Sequence, residues 1–216
     1  EQKNLHRWYS YAVYFPSEHY GKDSYTEIIN QWHQGGGKSP AIALEIKGDN
    51  YNLVMPSEAT QSSTLRQDLG PIKKNTWNHM VWHINHSTGS DGLIQLWING
   101  TKILDRKGPN MYSSTNLPAW KVGIYKWKWN DDRTTDVSKR VLYFDDVRVG
   151  NEKATYAEMT SGSSTSTPVE APSAPAPTPE PTEPAPTVPE TTVPTSPSSD
   201  AIQSFTLVNA STEKDV

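Results

Sequence analysis

The segment Gln31-Trp32-His33 combines an amide and an imidazole at a spacing that suits ligand binding. Side chains alternate between the two faces of an extended strand, so Gln31 and His33 share one face and Trp32 takes the other. A Gln amide donates hydrogen bonds, and a His side chain exchanges a proton near neutral pH. A polar pair on an otherwise apolar strand needs solvent or a ligand, although a lone His on a strand is more commonly structural.

A second segment, Lys121-Val-Gly-Ile-Tyr125, brings an ammonium and a phenol to one strand face. Alternation aligns Lys121, Gly123 and Tyr125, and Gly123 leaves room for a molecule to approach the sheet closely. The Tyr125 hydroxyl suits a general acid, and it acts as a base where positive charge such as that of Lys121 stabilises the phenolate. The plain alternative is the solvated face of an amphipathic strand, so neither segment identifies a site alone.

The remaining His and Asp positions give weaker indications of a metal or catalytic site. The sequence has no Cys, which excludes disulfides, zinc–thiolate sites and thiol catalysis. His79, His83 and His86 have a spacing that suggests metal binding. His79 and His83, however, are expected to face solvent on the strand Trp77–Ile84, so a metal site is not favoured. Asp145 and Asp146 are candidates for a structural Ca²⁺, which prefers carboxylate and carbonyl oxygens, although a turn or strand-end role is preferred. No cofactor is otherwise required.

The elements that must position these residues are short β-type runs bounded by turn residues. Asn99-Gly100 is the strongest hairpin signal, and no window shows a helical apolar period of useful length. Many short strands with regular turns favour an all-β sandwich. The predicted strands are Arg7–Phe15, Tyr25–His33, Ala41–Lys47, Tyr51–Val54, Trp77–Ile84, Leu93–Ile98, Lys102–Asp105, Trp120–Tyr125 and Arg140–Arg148, with Trp8, Trp82 and Trp97 expected between the sheets.

Composition divides the chain into three parts. All 8 Trp lie before residue 130, whereas 11 of the 17 Pro lie between Pro168 and Pro197. We therefore predict a folded domain at 1–159, a disordered Pro/Thr/Ser/Glu-rich linker at 160–200 and the start of a truncated downstream β module at 201–216. Five acidic and no basic residues lie in 160–200, and the last sixteen residues carry a net −1. Because the whole chain carries −4, the first 159 residues carry +2. That charge is compatible with an anionic ligand but too small to indicate nucleic acid.

Taken together, the two segments resemble the motifs of jelly-roll polysaccharide lyases. Gln31-Trp-His33 resembles the Gln-x-His motif of alginate lyases, and Trp120–Tyr125 resembles their aromatic-x-Lys-x-Gly-x-Tyr motif. A longer ordered series is similar to the heparin lyase I and glucuronan lyase-like group. That series comprises Arg7–Pro16, Glu27–His33, Ser39–Leu44, Ser90–Gly100, Lys107–Asn110, Gly123–Trp127 and Val141–Arg148.

The resemblance implies a concanavalin-like jelly roll that cleaves a uronic acid polymer by β-elimination. Gln31 would neutralise the substrate carboxylate, His33 would act as base or neutraliser, and Tyr125 would act as acid or base. Alginate, glucuronan and heparin-like chains all stay open as substrates. These lyases also use an Arg from preceding strands, and nothing before Arg7 supplies it, so we expect the N-terminal strands to be lacking.

Substrate binding would fall to aromatic and cationic side chains near Tyr125. Lys121 shares its strand face, and alternation places Trp127 on that face too, where it can stack on a sugar ring. The cations expected to contact carboxylates or sulfates, each weighed against an ordinary surface role, are Lys126, Lys128, Arg133, Lys139 and Arg140, with Lys126 and Arg140 preferred.

Two other functions share these features. A lectin-like or laminin-G-like β-sandwich would bind glycans without cleaving them, but a binding protein has no need of an acid–base pair. A glycoside hydrolase would need two carboxylates flanking the bond, for which Glu27, on the predicted face of Gln31 and His33, and Glu45 are available. We expect a monomer that is secreted, extracellular or on the cell surface, with an anionic polysaccharide as partner and neither nucleic acid nor membrane.

Overall fold

Residues 5–60, 64–130, 135–161, 202–205 and 210–213 are described by the computed structural model, the last two ranges as backbone only. In chain order the strands are β1 (His6–Tyr14), β2 (Asp23–His33), β3 (Ile42–Gly48), β4 (Asn50–Pro56), β5 (Thr64–Pro71), β6 (Trp77–Asn85), β7 (Leu93–Ile98), β8 (Thr101–Lys107), β9 (Ala119–Tyr125), β10 (Lys139–Gly150), β11 (Ile202–Phe205) and β12 (Ala210–Glu213). A 3₁₀ turn spans Trp127–Asn130, and a short helix, α1, spans Tyr156–Thr160. Within the described ranges no helix is long and apolar enough to cross a membrane.

The strands form two antiparallel sheets that pack face to face. The back sheet has the order β10-β1-β6-β7-β8, and β11 and β12 both pair with β10. The front sheet has the order β5-β4-β3-β2-β9. This arrangement confirms the predicted all-β jelly-roll sandwich. From residue 162 onward, the predicted linker lies outside the described residues. The downstream module at 201–216 stays a prediction.

The core lies between the two sheets and is rich in aromatic rings. Trp32 of the front sheet meets Trp82 of the back sheet with ring centroids 5.0 Å apart, edge to face. The prediction for Trp82 is therefore confirmed, but that for Trp8 and Trp97 is wrong. These two indoles lie in a second apolar cluster with Met159 of α1. Strand alternation turns Tyr9 into the core and Trp8 away from it.

All nine predicted strands are present, but sequence reasoning missed β5. Its side chains are mostly exposed because it is an edge strand, so it shows neither the apolar alternation of a half-buried strand nor an apolar run. The predicted hairpin at Asn99-Gly100 is confirmed. Both residues have positive φ, 50° and 82°, as a two-residue turn between twisted strands requires.

Candidate active site

A groove of about 710 Å³ crosses the front sheet on the face turned away from the core. Every strand of that sheet contributes to it, because the residues that alternate with the core residues point outward. The described residues that line it are Ile28, Gln31, His33, Gly37, Lys38, Ser39, Pro40, Ala41, Ala43, Glu45, Val54, Met55, Pro56, Thr60, Thr64, Arg66, Tyr112, Lys121, Tyr125 and Trp127.

Gln31 and His33 enter the groove from the end of β2. Gln31 lies directly opposite Lys121 of β9 and Ala43 of β3, and His33 lies opposite Ala119. Side chains directly opposite each other on one sheet face have Cβ atoms about 5 Å apart. The sheet therefore brings Gln31 and Lys121 side by side in the groove, near the β9 edge of the front sheet.

The imidazole of His33 is oriented by the loop that follows β2. Its Nδ1 accepts a hydrogen bond of 2.8 Å from the backbone N–H of Gly35. Because that nitrogen is an acceptor, the neutral ring carries its proton on Nε2. His33 thus has an N–H to offer to a ligand.

Tyr125 and Lys121 share the groove face of β9, as alternation predicts. Tyr125 is 47% exposed and lies opposite Ile28 of β2. Gly123, between them, has a φ of +139°, and a Cβ placed there would meet no other atom within 4 Å. The space beside Gly123 is therefore open, and a ligand can approach the backbone between the two side chains.

Trp127 also lines the groove, although it is not on a strand. It begins the 3₁₀ turn after β9, and its ring lies 5.9 Å from that of Tyr125, tilted by 44°. The predicted strand alternation does not extend so far, but the two aromatic rings are neighbours in the groove all the same.

Lys126 and Arg140 are not groove residues, which corrects the prediction that they bind substrate. Each side chain is 1% exposed, and both contact a pair of fully buried carboxylates. Lys126 Nζ lies 2.8 Å from Asp23 and 3.0 Å from Glu27, and Arg140 Nε lies 3.0 Å from Glu27. A charge buried in this way must be paired, so these cations serve the fold. Arg133 lies outside the described residues.

We call Asp23, Glu27, Lys126 and Arg140 the buried charge cluster. The Tyr20 hydroxyl donates a hydrogen bond to Glu27, and its ring lies 4.3 Å from the guanidinium carbon of Arg140. Burial, and secondarily the negative charge of Glu27, hold the pKa of Tyr20 well above its ordinary value. The Tyr20 hydroxyl therefore stays protonated and acts as a donor within the cluster.

The position of Glu27 also corrects the predicted face of β2. The pairing of β2 with β3 shifts register between Ile28 and Asn30, so one extra residue lies on β2. This bulge turns Glu27 inward while Ile28 and Gln31 both line the groove. Among the described lining residues Glu45 is the one carboxylate, so the pair that a hydrolase would need is not assembled there.

Arg66 is a charged groove residue that sequence reasoning missed, because it lies on β5. Its Nη1 lies 2.6 Å from a carboxylate oxygen of Glu45, and the side chains are 64% and 7% exposed. Burial raises the pKa of the Glu45 carboxyl above its ordinary value, and Arg66 offsets part of that rise. An exposed arginine on a weakly patterned edge strand leaves no signal that would have set it apart.

The candidate calcium ligands have partners within the chain. Asp146 has a positive φ of 51° and accepts hydrogen bonds from Arg148, and Asp145 accepts one from the backbone N–H of Asp146. His83 stacks on Trp8 with ring centroids 3.9 Å apart. No group of three or more potential metal ligands occurs in the described part of the chain.

Comparison with known proteins agrees with this architecture. The family model for polysaccharide lyases matches residues 1–148. An endo-β-1,4-glucuronan lyase from the fungus Trichoderma reesei superposes with a TM-score of 0.56 at 17% identity, over 74% of this chain and 72% of that one. An alginate lyase from a Chlorella virus gives a TM-score of 0.47 at 13% identity, over 68% of this chain and 72% of that one. A search of curated proteins found no match. Since the family model covers more than half of the sequence, the chain belongs to the polysaccharide lyase family.

Proposed function

We propose that this polysaccharide lyase cleaves a β-1,4-linked uronic acid polymer by β-elimination, with Tyr125 transferring the proton. The observation that carries the proposal is that Gln31, His33, Lys121 and Tyr125 line one groove, with Gln31 directly opposite Lys121. A groove that only bound sugars would have no need to combine hydrogen-bond donors with a phenol beside an ammonium.

The charge of the groove supports an anionic substrate. The described lining residues include the cations Lys38, Arg66 and Lys121 and the carboxylate Glu45. Glu45 is in contact with Arg66, so the two charges compensate each other. The remaining excess of positive charge attracts a polymer with a carboxylate on each sugar. The T. reesei relative is, by its description, a lyase of glucuronan.

Elimination requires that the proton on C5 becomes acidic. The neighbouring carboxylate opposes this while it is charged, because removal of the proton places more negative charge on the same group. Donors that bind the enolate-like state better than the ground state lower this barrier. The Gln31 amide and the Nε2–H of His33 are donors of this kind, and both face the groove.

The hydrogen bond from Gly35 to His33 Nδ1 favours His33 as a donor rather than as the base. To accept the C5 proton on Nε2, neutral His33 would have to carry its own proton on Nδ1, against the N–H of Gly35. We therefore assign the removal of the C5 proton to Tyr125. Deprotonated Tyr125, on the same groove face as Lys121, takes the C5 proton and leaves the enolate-like state. The electron pair of that state then forms the C4=C5 double bond as the C4–O4 bond breaks, and the Tyr125 hydroxyl gives its proton to O4.

One residue can perform both steps only when the C5 proton and O4 lie on the same face of the sugar. This holds for β-1,4-linked glucuronate and mannuronate, whereas the two groups lie on opposite faces in guluronate. We therefore propose glucuronan or mannuronate-rich chains as substrates. Such polymers occur outside cells, which supports a secreted or surface-bound enzyme.

Ultraviolet absorbance tests the proposal, because elimination leaves an unsaturated uronate that absorbs whereas hydrolysis and binding leave none. Full-length protein is mixed separately with polyglucuronate, polymannuronate, polyguluronate and heparin. We expect absorbance to rise with polyglucuronate or polymannuronate. We expect no comparable rise with polyguluronate.

Two variants and a control identify the residues. His33→Ala and Tyr125→Phe should slow the rise about 100-fold or more, while Tyr143→Phe, which removes a hydroxyl from the back sheet, should leave it unchanged. A rise in Tyr125→Phe at close to the wild-type rate would refute the role of Tyr125. Measurable binding with no absorbance change on any polymer would favour the lectin-like alternative.

A further inference from the structure

We infer that Arg66 binds a uronate carboxylate at a distal subsite, on the far side of the groove from Tyr125. This inference rests on the proposed function and specifies how the rest of the polymer is held. Arg66 lies on edge strand β5 and Tyr125 on edge strand β9, so they lie at opposite edges of the front sheet.

A single row of directly paired residues joins the two edges. The register pairs Arg66 with Val54, Val54 with Ala43, Ala43 with Gln31 and Gln31 with Lys121. All five residues line the groove. Since paired residues share one face of a sheet, a polymer that crosses the strands runs from the catalytic side chains to Arg66.

The middle of the row is suited to a sugar ring. Val54 and Ala43 are small and uncharged, so they offer a flat apolar floor between the cation at one end and the amide and ammonium at the other. Neighbouring strands are about 4.8 Å apart, which places Arg66 about 14 Å from Gln31 along the row. A pyranose unit is similar in length to one strand spacing. Arg66 is therefore about three sugars from the sugar at Gln31.

The geometry of Arg66 leaves donors available for that carboxylate. Its Nη1 contacts Glu45, which holds the guanidinium against the sheet, but the side chain is 64% exposed. An arginine has five N–H donors in a planar fork that suits carboxylates. The Glu45 contact is made by Nη1, and Arg66 lines the groove, so its other N–H donors are available to a ligand there.

The test compares oligomers that differ in length. KM and kcat are measured on a trisaccharide and on a longer oligomer of the polymer that the wild type cleaves, with wild type, Arg66→Gln and Arg66→Lys. We expect Arg66→Gln to raise KM for the long oligomer about tenfold, as loss of one charge-assisted hydrogen bond would. We expect no change in kcat, no change in KM for the trisaccharide, and partial recovery in Arg66→Lys.

Two further variants separate Arg66 itself from its partner. In the double variant Glu45→Gln/Arg66→Gln no unpaired carboxylate is left behind, and KM for the long oligomer should stay high. A return to the wild-type KM would show that Arg66 merely neutralises Glu45, and would overturn the inference. Lys102→Gln, which removes an exposed cation from the back sheet, should change neither KM.

Different results would overturn the distal subsite and the proposed β-elimination. An equal change of KM for both oligomers, or no change for either, would overturn the distal subsite while elimination persists. If the wild type forms no unsaturated product, the proposed function fails. Calorimetric titration of the long and short glucuronate oligomers into wild type and Arg66→Gln then tests the subsite alone. If Arg66 forms a distal subsite, Arg66→Gln weakens the binding of the long oligomer only.

Discussion

Tyr125 and Lys126 are adjacent in sequence, yet they belong to two regions of opposite character. Tyr125 is 47% exposed and faces the groove with Gln31 and Lys121, whereas Lys126 is enclosed in the buried charge cluster. Both regions combine lysines with hydrogen-bonding side chains. In the cluster the partners come from the chain itself, and in the groove we propose that they come from the substrate.

The difference teaches how polar residues divide between stability and function. A buried cation without a counter-charge is costly, so the charges of Lys126 and Arg140 are matched by those of Asp23 and Glu27. Exposed groups such as Lys121 pay no such penalty and can keep donors ready for a ligand. Substitutions in the two regions should therefore affect different measurements.

The largest effect is expected on the groove side, from Tyr125→Phe. Loss of a positioned acid–base group lowers turnover about 100- to 10,000-fold. The free energy of unfolding should change by less than about 0.5 kcal/mol, because the hydroxyl lies on an exposed side chain. Initial rates of absorbance change and urea denaturation measure the two quantities. A large loss of stability in this variant would erase the distinction between the regions.

A matched pair of lysine substitutions gives the next largest effect. Lys126→Met leaves excess buried negative charge on Asp23 and Glu27, and should lower the free energy of unfolding by about 3–5 kcal/mol. Lys121→Met removes an exposed charge and should lower it by less than about 0.5 kcal/mol. Urea denaturation of the two variants makes the comparison. Equal destabilisation would contradict the assignment of Lys126 to the fold.

Gln31→Leu should lower kcat/KM about 10- to 100-fold. A hydrogen bond to a charged group contributes about 1.5–3 kcal/mol, and Leu keeps the volume of Gln but cannot donate. Asn30→Leu is the matched control on the core side of the same strand, where Trp120 Nε1 donates to Asn30 over 2.5 Å. That variant should reduce stability more than Gln31→Leu does. If Gln31→Leu keeps full kcat/KM, Gln31 does not bind the substrate carboxylate.

The smallest effect is expected from His86, a third arrangement beside the groove and the buried charge cluster. It is a buried basic side chain for which the described residues provide no counter-charge. Burial lowers the pKa of His86 to about 3. The folded state therefore keeps this ring neutral while the unfolded state takes up a proton below about pH 6.5, so stability falls as the pH drops through that range. Between pH 7 and pH 5 we expect a loss of about 2 kcal/mol from this residue.

Denaturant unfolding at the two pH values measures this loss, and His86→Gln should reduce it. Should the variant keep the full pH dependence of the wild type, other groups would account for it. The burial of His86 would then not be the cause of the loss of stability at low pH.

Much of the fold follows from local patterns in the sequence. Strand alternation and turn residues predicted nine strands and the Asn99-Gly100 hairpin, because these signals depend on neighbouring residues only. The same alternation placed Gln31 with His33, and Lys121 with Tyr125, on common faces, and the groove contains all four. The missed strand, β5, is an edge strand whose exposed residues carry no apolar period.

Only the tertiary structure decided which residues distant in sequence contact one another. A bulge in β2 turned Glu27 into the interior, where it meets Lys126 and Arg140, 99 and 113 residues away. The pairing of β5 with β4 brought Arg66 to the groove, opposite Val54. The sequence by itself determined which side chains could do chemistry, because residue type and strand alternation are local. Which of them face substrate and which neutralise one another was decided by register and burial, since both depend on how the whole sheet is assembled.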